Sequence, residues 1–191
     1  MKCPKCGAEM KRGFQITDYK LWGSFRVAKA LGIEETGKEP HPTEVYKTTS
    51  KYGKEGSPKM IPVFKQVPEK ADNWEAELQL NRYRVMLEEL GLTVHEMRLQ
   101  ITVRDGGLYI AHNRGVYKNI YKIPVRRVEN YNVQAYFQYK SDQLGIALMD
   151  NEYDIPCNNQ ESWGGVRCRE YCDVADFCPK GKLIKAIEGG K

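Results

Sequence analysis

The stretch from Asn73 to Val103 limits the fold more than any other part of this 191-residue chain. Leu78, Val85, Met86 and Leu90 recur at helical spacing between Asp72 or Asn73, either of which suits an N-cap, and Gly91, which suits a helix stop. Directly afterwards, Thr93 to Val103 (TVHEMRLQITV) alternates apolar and polar residues as a strand does. A long helix returning into a strand has one apolar side to cover, and so does the strand, so the two belong on one core.

The neighbouring segments extend this pattern. Phe14-Gln15-Ile16-Thr17, after a polar turn at Lys11, Arg12 and Gly13, has the period of a strand and predicts a β-hairpin ending near Asp18. Phe25, Val27, Ala28, Ala30 and Leu31 predict a short helix with Ser24 as N-cap and Gly32 as stop. Residues 38 to 70 are rich in Lys, Pro, Gly, Thr and Ser and read as mostly loop, with a short strand at Ile61-Pro62-Val63-Phe64. A strand from Leu108 to Ala111 is expected after the Asp105-Gly106-Gly107 turn, and an amphipathic helix from Asn132 to Met149. Strand, helix, strand, strand and helix make a mixed α/β fold the expectation. There is no internal repeat and no low-complexity tract.

The chain is long enough for one domain with a real hydrophobic core plus appendages. With 41% hydrophobic and 29% charged residues, a largely disordered chain is excluded. The net charge of +5 suits a polyanionic partner without requiring one. No apolar run approaches the roughly 20 residues that span a bilayer, and MKCPKCGAEM lacks the apolar segment of a secretory signal. The expectation is an intracellular protein without a membrane anchor.

Two short motifs carry chemistry. Asp18 and Lys20 flank Tyr19, and the strand period of two puts both on one face. A carboxylate can hold Mg²⁺ or Mn²⁺, which prefer oxygen ligands, while a nearby ammonium orients the attacking water and offsets phosphate charge. By itself D-x-K is also an ordinary surface ion pair. Gln79 and Tyr83, four apart in QLNRY, project from one face of the long helix, where a half-buried Tyr beside a solvated Gln is the plain alternative.

Taken together, ITDYK, the following LWGSFRVAKALG and the helix with Q-x-x-x-Y resemble the active-site order of RecB-like PD-(D/E)XK nucleases. The resemblance covers residues 7 to 178 and extends to CRISPR-associated and phage exonucleases with a C-terminal cysteine cluster. It implies a restriction-endonuclease-like mixed sheet flanked by helices, with a nuclease-like core over residues 1 to 150 and a metal-bound cysteine region with tail over 151 to 191. It also implies a Mg²⁺- or Mn²⁺-dependent DNA nuclease or exonuclease, cytoplasmic in a prokaryote or phage-encoded. Asp18 would bind metal, Lys20 would serve the water, and Gln79 and Tyr83 would support the site and contact DNA. The family carries a further acidic ligand on the preceding strand, together with an earlier helical segment, and only 17 residues precede Asp18 here. Glu9 is the candidate for that ligand, with an exposed hairpin position as its other reading. Without Glu9, a truncated relative that binds nucleic acid or joins a complex becomes the alternative, as does a site completed by a partner chain or oligomer.

The six cysteines fall at Cys3 and Cys6 and at Cys157, Cys168, Cys172 and Cys178, with none in the 150 residues between. In a reducing compartment such clustering points to metal rather than disulfides. The four C-terminal thiols are a ligand set for either a 4Fe–4S cluster or a structural Zn²⁺. The family resemblance favours 4Fe–4S. Cys3 and Cys6 form one knuckle (CPKC) of a zinc-ribbon type, whose second knuckle would have to come from elsewhere. His41, His95 and His112 show no ligand spacing.

From Arg104 to Arg127, six basic residues (Arg104, Arg114, Lys118, Lys122, Arg126, Arg127) stand against one acidic residue and alternate with Tyr109, Tyr117 and Tyr121. Such a stretch can line phosphates while its tyrosines stack on unpaired bases, or can be a solvated face. The lysine-rich segment 47 to 59 is a weaker candidate of the same kind.

Overall fold

The computed structural model describes residues 13–150 and 156–189. Glu9, Cys3, Cys6 and the first strand of the expected N-terminal hairpin lie outside the described residues. The chain divides into two compact units, with the boundary after Val133.

The first unit is built on a mixed three-stranded sheet. Its strands are β1 (Phe14–Trp22), β4 (Val94–Val103) and β5 (Ile120–Pro124), in the order β1-β4-β5, with β1 parallel and β5 antiparallel to β4. A parallel pair needs a long crossover. It is supplied by α1 (Ser24–Leu31), the hairpin β2 (Ile33–Val45) and β3 (Pro58–Gln66), and α2 (Trp74–Glu89). β4 is the spine of the core: Leu99 and Ile101 are wholly buried, as are Val27 of α1 and Leu80 of α2. Val94 and Met97 are both buried although three apart, because the register with β1 shifts at Phe14/Gln15 and restores the alternation.

Helix α1 stops at Gly32, which takes a left-handed φ of 65°. A Cβ there would meet the Val67 carbonyl oxygen at 2.1 Å, so the position takes only glycine. The start of α1 differs from expectation. Gly23 is the N-cap, and Ser24 is the first helical residue and completely buried. The cap comes from a distant turn instead: Asp105 accepts from Ser24 N at 2.7 Å and from Ser24 Oγ at 2.6 Å.

Two further expectations are corrected. Residues 38 to 70 are mostly a long antiparallel hairpin, not loop, with β3 extending well beyond Ile61–Phe64. Nearly all of its residues are exposed or half-buried, so no alternating apolar face had to be written into its sequence. Pro40 and Pro62 are tolerated because both strands of a two-stranded sheet are edges. Leu108–Ala111 is no strand. Ala111 N and His112 N both donate to Leu108 O, closing the helical turn α3 (Tyr109–His112), and β5 takes the place beside β4. Short apolar runs do not distinguish the two conformations.

Helix α4 (Asn130–Asp150) begins in the first unit. The rest of it belongs to the second unit with α5 (Val166–Glu170) and α6 (Pro179–Gly189). There Glu161, 8% exposed, pairs with Lys140 at 2.5 Å and accepts from Asn158 N, while Lys180 donates to Cys157 O and Ser162 Oγ. Burial pushes the Glu161 carboxyl up, but Lys140, Asn158 and Tyr136 outweigh it and hold it below its ordinary range. Among the described residues no helix is long and apolar enough to cross a membrane.

Candidate active site

β1 inverts the usual polarity of a half-buried strand. Its register pairs Asp18 with Leu99 and Lys20 with Ile101, the two fully buried residues of β4, so both charged side chains lie on the core-facing side. Their side chains are only 18% and 25% exposed. Tyr19 and Leu21, on the other face, are 71% and 65% exposed. Slipping the strand by one residue would bury the apolar pair and expose the charges. The slip would also expose Ile16 and Trp22, which pack against the core from the same face as the charges and hold the register, and charge kept on such a face is the mark of a working site.

Helix α2 lays its polar residues over this pair. Its buried side carries Ala76, Leu80 and Val85, which sets Gln79 and Tyr83 one turn apart toward β1. Lys20 Nζ lies 2.9 Å from Asp18 Oδ2 and donates to Gln79 Oε1 at 3.0 Å. Gln79 Nε2 donates to the Tyr83 hydroxyl at 2.9 Å. The direction of this relay follows from chemistry. An ammonium has only donors, so Gln79 must turn its oxygen to Lys20 and its NH₂ to Tyr83. Tyr83 thus accepts from Gln79 and keeps its own O–H to donate elsewhere.

Asp18 Oδ2 is buried and, although close to Lys20, receives no hydrogen bond of acceptable angle from any described residue. Its neighbour is the Lys20 ammonium, and a carboxylate on this face is the kind of oxygen ligand that a hard cation needs. That fits Mg²⁺ or Mn²⁺, which are held by one or two carboxylates and keep several waters. Among the described residues no three His, Cys, Asp or Glu side chains gather into a metal-holding group. Glu9, the expected companion of Asp18, lies outside the described residues.

The same statement covers the cysteines. Cys157 is exposed, Cys168 buried, and Cys172 and Cys178 half-buried, and their side chains are not drawn together into a ligand set. The donor chemistry suits a cluster, whereas the arrangement of the side chains does not present one.

The six basic residues from 104 to 127 are not one surface. Arg126 pairs with Glu77 at 2.8 Å, and Arg127 binds both oxygens of Glu88 and the Val94 carbonyl. Both tie the segment after β5 to α2. Arg114 donates to Ser24 Oγ at 2.9 Å and lies 3.8 Å from Asp105. The side chains of Arg104, Lys118 and Lys122 point to solvent. The bond from Ser24 is the largest influence holding the Asp105 carboxyl below its ordinary range, with Arg114 adding to it.

Sequence reasoning missed the wholly buried Arg84. It donates to Asn81 Oδ1, Glu88 Oε2, Asn130 Oδ1 and Val128 O, and so fastens α2 to the start of α4. It also missed the Ser24–Asp105–Arg114 network. Arg84 has local partners in Asn81 and Glu88, but its bonds to Val128 and Asn130, like those of Ser24 to Asp105 and Arg114, join residues more than 40 apart and leave no local signal. Comparison of the chain with protein-family models, curated proteins and solved structures gives no match.

Proposed function

We propose that this protein is a Mg²⁺- or Mn²⁺-dependent DNA nuclease of the RecB-like PD-(D/E)XK kind, with a restriction-endonuclease-like core and the cellular setting of a prokaryotic or phage recombination, repair or processing enzyme. The observation that carries the reading is the Asp18–Lys20 pair on the core face of β1, joined through Gln79 to Tyr83. Asp18 would hold the divalent ion through its carboxylate. Such an ion supplies Lewis-acid polarisation of the phosphate and of the attacking water. Lys20 acts here as a hydrogen-bond donor. Two of its three N–H directions face Gln79 and Asp18, and the third is free to orient water in line with the scissile P–O bond. Water oxygen bonds to phosphorus and releases a proton to solvent, the P–O bond to the leaving strand breaks, and the departing oxygen takes a proton from solvent. Tyr83, its hydroxyl proton unspent, donates to a phosphate oxygen.

The test is cleavage of labelled single- and double-stranded DNA in Mn²⁺. The wild type should cut, and Lys20→Ala should not while melting as the wild type does. Equal cutting by the variant would sink the assignment. A second reading, a nucleic-acid-binding or complex-forming module that does not cut, is favoured by the single described carboxylate at the centre, and DNA binding without cutting would establish it. The C-terminal cysteines would carry a 4Fe–4S cluster in this family setting, with Zn²⁺ as the alternative. No step of the reaction passes through them. Broad absorbance near ~400 nm in anaerobically purified protein, lost on reduction, distinguishes iron–sulfur from a colourless zinc protein.

A further inference from the structure

The helix that leaves β1 presents an aromatic ring to solvent instead of to the core. Ser24, Val27 and Ala30 are the buried side of α1, and Phe25, on its other side, is 61% exposed. Leaving a phenyl ring that open forfeits most of its burial energy. The ring is surrounded by cations. Lys29 Nζ lies 5.4 Å and the Arg114 guanidinium 5.8 Å from its centroid. Arg114 is held there by its bond to Ser24 Oγ and by Asp105, the one carboxylate in this group, while α1 has no acidic residue in its first turn. Arg104 approaches from the end of β4: a Cβ on Gly23 would stand 3.3 Å from its guanidinium nitrogen, so glycine leaves it room. The Arg104 guanidinium makes no ion pair among the described residues.

We infer that Phe25 is a stacking platform for an unpaired base of a single-stranded nucleic acid, with Lys29, Arg104 and Arg114 receiving the flanking phosphates. An aromatic face takes any base, and the cations that lie over this ring at 5.4 and 5.8 Å are mobile enough in their long side chains to meet the phosphates on either side. The position suits the proposed centre, because Phe25 lies in the first turn of the helix that follows the strand carrying Lys20. This inference deepens the nuclease reading and rests on it for the substrate class, although binding and cutting are measured separately.

The experiment is fluorescence anisotropy of a labelled oligothymidylate with the full chain and no added divalent cation, so that nothing is cut. Phe25→Ala should weaken binding about 5- to 150-fold, and Phe25→Trp should restore it. On a strand with abasic sites the wild type and Phe25→Ala should bind alike. Phe25→Ala should leave the slope of log K against log salt unchanged, whereas Lys29→Gln should reduce it by about 0.7. Wild-type affinity in Phe25→Ala, or an equal loss on abasic strands, overturns the inference, as does a wild type that binds no single strand. If the wild type cuts DNA while Phe25→Ala binds normally, the inference fails and the Asp18–Lys20 centre stands. Phe25-dependent binding without cutting has the reverse meaning.

Discussion

Gln79→Leu is the perturbation that most directly probes the relay. The side chain makes one hydrogen bond with a charged partner, Lys20 at 3.0 Å, and one with a neutral partner, Tyr83 at 2.9 Å. A bond to a charged group contributes about 1.5–3 kcal/mol and a neutral one about 0.5–1.5 kcal/mol. If only the charged bond is felt in the transition state, loss of aim in Lys20 slows cleavage about 10- to 150-fold. The fold should persist, because the buried face of α2 and the Lys20–Asp18 pair are untouched, and the stability lost should not exceed that of the two hydrogen bonds. Single-turnover cleavage in saturating Mn²⁺, read beside thermal unfolding, separates these effects. Tyr83→Phe provides the control. It should slow cleavage in the wild type but cost less in the Gln79→Leu background, since Tyr83 is then no longer held. Wild-type cleavage by Gln79→Leu, or a Tyr83→Phe loss of the same size in both backgrounds, would refute the relay as a positioning device.

Other parts of the structure make independent predictions. Arg84→Ala leaves Glu88 and Asn130 facing a buried gap and should cost about 3–5 kcal/mol in denaturant unfolding, with a near-wild-type midpoint as the contrary result. Burial pushes Glu88 up, but Arg127 and Arg84 outweigh it and hold its carboxyl below the ordinary 4.5. A lowered folded value means that its stabilisation is complete above about pH 4.5 and is lost as pH falls through the folded value, and Glu88→Gln should flatten that part of the stability–pH curve. In metal-free, reduced protein Cys157 should react with a thiol reagent faster than Cys168, since one is exposed and the other buried, and equal rates would contradict the arrangement of the second unit.

How far the sequence spoke depended on whether the relevant force was local. Helix α1 and strand β4 were legible because their apolar residues repeat at the period of the element, and Gly32 and Gly91 mark the helix stops; α2 was placed correctly but its expected stripe was not its buried face, since Met86 and Leu90 are exposed while Ala76 and Leu80 are buried. The Leu108–Ala111 run was misread because four residues suit a turn of helix as well as a strand, and only the room beside β4, taken by β5, decides between them. The β2–β3 hairpin escaped because it buries little and so carries no alternation.

At the candidate site the sequence by itself determined that Asp18 and Lys20 share a face and that Gln79 and Tyr83 share another. It could not say which face of β1 is buried. Register against Leu99 and Ile101 turned the charges inward, and the packing of α2 brought Gln79 within 3.0 Å of Lys20 across 59 residues of chain. The same applies to Asp105 capping α1 and to Phe25 left outside it. Periodicity records which residues an element groups together, but which group meets which is decided when separate elements compete to cover one core.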